Sequence, residues 1–142
     1  MQAGLAFGAS MVLPSARGCE AFASTLRVSH PWTRATVHGV TSAVLCMKFD
    51  EVTLADRLIL VQTPVAEGAR MAGPDAGERE GVDFSIPAER ETYLDESSTH
   101  VMLVGLKFPL EIGRSYPLTL GFEKGGTVFA SLSVDYTPFR FT

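Results

Sequence analysis

The 142-residue chain is 46% hydrophobic and 20% charged, a balance that excludes a disordered or fibrous polypeptide and suits a single globular domain. Its net charge of −4, with no basic stripe, excludes nucleic acid as a partner. No stretch beyond the N-terminal region approaches the roughly 18 continuous apolar residues of a membrane-spanning helix, so no direct membrane span is predicted.

At the N-terminus, Ala3 to Pro14 form an apolar run too short to cross a bilayer, followed by Ala21-Phe22-Ala23, the small-x-small form of a secretory cleavage site. Residues 1–23 therefore read as a signal peptide, with only Met1 and Gln2 ahead of the run where positive residues are usual, and residues 24–142 as the exported domain. A domain of that size buries roughly two-thirds of the surface its unfolded chain exposes, enough for a core without disulfides. Cys19 lies in the leader and Cys46 alone in the domain, so no intramolecular bridge is predicted. Arg17 spoils the run Ala16-Arg17-Gly18-Cys19 as a lipid-attachment box.

From Leu26 onward, short β-branched, aromatic and aliphatic runs alternate with Gly, Pro and Asp clusters, and long helical periodicity is absent. That pattern predicts an all-β sandwich or barrel. In chain order the strands are Leu26 to His30, Ser42 to Phe49, Arg57 to Gln62, Val82 to Ile86, Glu91 to Leu94, His100 to Leu106, Tyr116 to Phe122 and Thr127 to Tyr136. Within the second, Ala43, Leu45, Met47 and Phe49 alternate with Val44, Cys46 and Lys48, which puts one apolar face toward a core. Gly125-Gly126 fits a tight antiparallel hairpin between the last two strands. Trp32 reads as a core anchor, and His38 beside Gly39 as a solvent-facing loop residue.

Pro74 to Glu96 holds eight acids against Arg79 and Arg90, a net charge of −6. Charged edges discourage sheet-to-sheet association, which makes this a solvated loop and edge surface; a docking face for a basic partner is the functional alternative. No nucleotide-binding loop, HExxH helix, GxSxG elbow or CxxC pair occurs, and none of the three histidines stands in a catalytic setting, so the chain is not read as an enzyme.

The chemistry centres on His100-Val101-Met102. On a strand, residues i and i+2 project from one face, which sets an imidazole beside a thioether. Such a pair suits Cu(I), a soft ion that takes sulfur donors, although His-x-Met alone also arises as core packing. Around it, Val28-Ser29-His30-Pro31-Trp32-Thr33-Arg34-Ala35-Thr36, Asp56-Arg57-Leu58, Pro64-Val65-Ala66, Ile86-Pro87-Ala88, Gly105-Leu106-Lys107, Leu118-Thr119-Leu120 and Phe122-Glu123-Lys124-Gly125-Gly126 follow in order. In these pieces the chain resembles the PCuAC family of periplasmic copper chaperones over nearly the whole domain. The resemblance implies a cupredoxin-like antiparallel β-sandwich, export to the periplasm, Cu(I) held by two His and two Met, and delivery of copper to cytochrome c oxidase or another membrane complex.

The chain departs from the family in its upstream ligands. Counting back from His100 by the family spacing reaches Glu78 where a Met belongs and Glu67 where a His belongs. Met71, beside Arg70, is the only sulfur in that region. The expected metal donors are therefore His100, Met102 and Met71, with Cys46 and Met47 as fallback donors. The alternative is a metal-free structural or assembly subunit of a membrane-associated complex, with the acidic stretch and the tail Pro138-Phe139-Arg140-Phe141 as contact surfaces.

Overall fold

The structure, a computed structural model, describes residues 20–74, 76 and 81–138. Ten strands follow in chain order: β1 (Glu20–Phe22), β2 (Arg27–Arg34), β3 (Ser42–Asp50), β4 (Asp56–Gln62), β5 (Ala66–Ala72), β6 (Phe84–Ile86), β7 (Thr92–Leu94), β8 (His100–Leu106), β9 (Ser115–Phe122) and β10 (Gly126–Tyr136). They pair in the order β5-β8-β3-β2-β10-β9-β4-β6, with β1 added to β2 and β7 to β3. Every pairing is antiparallel except that of β10 with β2. A three-residue link joins β4, near one end of this order, to β5 at the other. It folds the two wings face to face as the layers of an all-β, cupredoxin-like sandwich.

Eight of the ten strands lie where the alternation of the sequence places them. β5, with the sequence Ala-Glu-Gly-Ala-Arg-Met-Ala, has no β-branched residue and low strand propensity; it is a strand because β8 supplies its partner. β1 falls within the segment read as the leader. It pairs Glu20 with Ser29, Ala21 with Val28 and Phe22 with Arg27, and Ala21 joins the core.

β3 ties the layers together. Ser42–Leu45 pair with β8, Met47–Phe49 with β7, and the opposite edge with β2. Leu45 and Phe49 are completely buried on its apolar face and meet Leu58, Val101, Leu103, Leu118, Leu120 and Leu132 in one core. Each such side chain contributes roughly 1.5–3 kcal/mol by leaving water. Trp32 is not part of that core: it is half-buried, with its ring edge-on to Tyr136 at 4.7 Å. The β9–β10 hairpin forms as expected, with Phe122 paired to Gly126 and Gly126 at φ +86°.

Among the described residues two carboxylates are buried. Asp50 lies under a two-pronged contact with Arg27, whose Nε and Nη2 donate at 2.8 and 2.7 Å and hold its pKa below the ordinary value. Asp56 accepts from the Thr25 hydroxyl at 2.7 Å and from the amides of Arg57, Lys124 and Gly125, each at 2.8 Å. Burial opposes its ionisation, and these four donors outweigh burial, so its pKa is also lowered. A folded pKa below the unfolded one stabilises the fold fully above the ordinary Asp value of about 3.9, and that contribution disappears as pH falls through the folded value. Asp56→Ala is expected to lower unfolding free energy by roughly 3 kcal/mol in urea and to flatten the acid limb of stability below about pH 4. Stability indistinguishable from wild type would contradict this role.

Candidate metal centre

The core-facing residues of β8 decide where its donors go. Val101 and Leu103 are completely buried in the sandwich core, so His100 and Met102 take the other face. On that face Met102 stands opposite Val44 of β3 and Arg70 of β5, and His100 opposite Ala72. Met102 is partly exposed and lines a cavity of about 540 Å³ together with Thr33, Arg34, Val37, Val40, Val44 and Glu96. Thr33 Oγ1 is the one buried side-chain oxygen among the described residues that lacks a hydrogen-bond partner.

His100 is 8% exposed, and its Nδ1 lies 3.1 Å from the carbonyl of Asp95 and 2.8 Å from that of Ser98. Carbonyls only accept, so Nδ1 carries the proton, and in the neutral ring Nε2 is left with its lone pair free. A metal-binding imidazole is held this way, its outer nitrogen donating to a backbone carbonyl and its inner one facing the ion. The ring is thus held in a tautomer that a metal-binding imidazole uses.

The third expected donor lies elsewhere. Met71 pairs with Val101, so it shares the core face of the sheet and is 3% exposed, while His100 and Met102 occupy the opposite face. Two donors are brought together, and Met71 is separated from them by the sheet itself. Of the two positions where the family spacing expects ligands, Glu67 is exposed at the far end of β5 and Glu78 lies outside the described residues. Met47 is a core residue. Cys46 is 1% exposed, and burial, followed by the charges of Glu96 and Asp95, pushes its thiol up to about 12.

Sequence reasoning did not assign a role to the turn between β7 and β8. Besides holding His100, it is locked to β2 by Arg34, whose Nε and Nη2 donate to the Glu96 carboxylate at 2.7 and 3.2 Å. Arg34 also lies over the Tyr136 ring, 5.5 Å from its centroid. The acidic stretch is partly consumed by such pairs: Arg57 meets Asp83, and Lys48 meets Glu91. His30 of β2 pairs with Asp135 and is not near the β8 donors by sequence or register, and His38 is exposed as expected.

The fold is that of PCuAC domains. The chain superimposes on the copper-bound PCuAC domain from PmoF2 with a TM-score of 0.74 at 27% identity, covering 82% of this chain and 97% of that one. The apo PCuAC domain from PmoF1 gives the same score at 26% identity, over 82% and 98%. The solution structure of CuI-DR1885 from Deinococcus radiodurans shares the fold, with a TM-score of 0.60 at 23% identity over 79% of this chain and 80% of that one. The family described as "Putative lipoprotein LpqE-like" matches residues 26–134, and the chain belongs to it. A protein of Leifsonia xyli subsp. xyli (strain CTCB07), described as a putative lipoprotein, is 32% identical over 116 residues, covering 74% of this chain. The chain spans 66% of that relative's length. The relatives named include domains solved with copper and proteins described as lipoproteins, and none is described as an enzyme.

One glycine ties β5 to the imidazole. Gly73 has φ +109°, and a Cβ there would stand 2.5 Å from the Ser98 carbonyl oxygen that receives the His100 proton. Gly73→Ala is expected to cost about 2 kcal/mol or more, from left-handed strain and displacement of that carbonyl. Long-range proton–nitrogen NMR of the wild type should find neutral His100 protonated on Nδ1, and the alanine variant should lose that signature. An Nε2–H ring in the wild type would contradict the geometry.

Proposed function

We propose that this chain is an extracytoplasmic Cu(I)-binding protein of the chaperone type, with His100 and Met102 as donors to the ion it carries. The observation that carries this reading is the His100 ring, tied through Nδ1 to two carbonyls with Nε2 free, on the same strand face as the Met102 thioether. Imidazole with thioether matches the preference of Cu(I) for soft donors, and the thioether stays available at any pH because it does not protonate. The 27% identity to a copper-bound PCuAC domain supports the same assignment. The cavity beside Met102 gives an incoming protein access to the sulfur, so transfer proceeds by ligand exchange: the recipient's donors bind the ion before those of this chain release it. Cytochrome c oxidase or another copper-dependent membrane complex is the recipient this reading implies.

Export through an N-terminal leader agrees with the lipoprotein description of the family. The paired β1 favours a processing point ahead of Glu20 over one at Ala23, because the later cut would remove a strand and the buried Ala21. Among the described residues no helix is long and apolar enough to cross a membrane.

Anaerobic titration with Cu(I) against a chromophoric chelator is expected to show uptake of about one equivalent. His100→Ala combined with Met102→Ala should abolish it. Uptake that survives the double change removes these residues from the site, and absence of uptake by the wild type returns the chain to the metal-free assembly subunit.

A further inference from the structure

β7 and β8 run end to end along β3, since Met47 pairs with Leu94 and Leu45 with Val101. Between those pairs β3 has one residue, Cys46, while the facing chain has six, Asp95 to His100. The surplus is the turn that holds the imidazole. Cys46 lies between the core residues Leu45 and Met47 and is just as deeply buried. Its side chain shares the face of Val44, the partner of Met102, and its sulfur lies against the main chain of Glu96. One turn therefore covers the thiol through Glu96 and grips the imidazole through Asp95 and Ser98, while Glu96 and Met102 line the same cavity.

We propose that Cys46 Sγ, His100 Nε2 and Met102 Sδ form a single three-donor site for a soft monovalent ion, in which Cys46 supplies the donor that the core-facing Met71 cannot. The inference rests on the copper reading above and names the ligand set. On binding, the ion replaces the thiol proton, which leaves to solvent, and its oxidation state is unchanged. Thiolate, imidazole and thioether are the donor types a trigonal Cu(I) accepts, and the thiolate balances its charge. The Arg34–Glu96 pair holds the turn over the site as a lid.

The test uses the full chain with Cys19→Ser in every arm, so that Cys46 is the sole thiol, and Cu(I) alone as probe. The ultraviolet spectrum of the loaded protein should show a thiolate-to-copper charge-transfer band. Cys46→Ala should abolish that band and weaken Cu(I) binding by at least the 10–100-fold that loss of a supporting contact costs a metal site. Wild-type binding with no such band, and unchanged affinity in the alanine variant, overturns the assignment of Cys46 while leaving His100 and Met102 as copper donors. A chain that takes up no Cu(I) overturns both readings. If the alanine variant does not fold, X-ray absorption of the loaded parent decides: two sulfurs and one nitrogen support the site, and one sulfur overturns it.

Discussion

The period-two alternation of β8 is the constraint on which the remainder of the molecule depends. Val101 and Leu103 are committed to the core against Leu45 and Met71, and a slip of one residue would expose that set and bury the donors instead. Because the core side is worth several kcal/mol for these side chains, register is not negotiable, and His100 and Met102 are displayed on the other face as a consequence of packing. Which face these two side chains take is thus set by packing alone. That separation lets ligand positions change without threatening the fold.

The turn between β7 and β8 converts a displayed pair into a prepared one. Its carbonyls fix the tautomer and orientation of His100, Gly73 provides the close approach that the Ser98 carbonyl needs, and the Arg34–Glu96 contact anchors the turn to β2. Trp32 and Tyr136 form the outer side of that anchor rather than the core. The same segment therefore interrupts the sheet, holds the imidazole through its carbonyls and lies over Cys46.

The relation to copper-bound PCuAC domains is one of shared scaffold. Carboxylates are poor partners for Cu(I), so Glu67 and Glu78 do not substitute for the His and Met that the family spacing expects. On the proposed reading, a site of fewer donors at a cavity wall would release its ion more readily to an incoming ligand, as transfer requires.

By itself the sequence determined the all-β class, most of the strands and the pairing of His100 with Met102, because period-two alternation and turn chemistry are local properties. It also carried the family resemblance, which depends on order and spacing alone. Only the tertiary structure decided that β5 is a strand, since its Ala- and Gly-rich stretch gains its conformation from β8 and not from propensity. It likewise decided that β1 belongs to the sheet and that Met71 faces away from His100, for the face of a donor is a matter of register with a distant strand. Cys46 and His100, 54 positions apart in the chain, reach the same turn for a reason of the same kind: β3 is shared by two neighbours of unequal length.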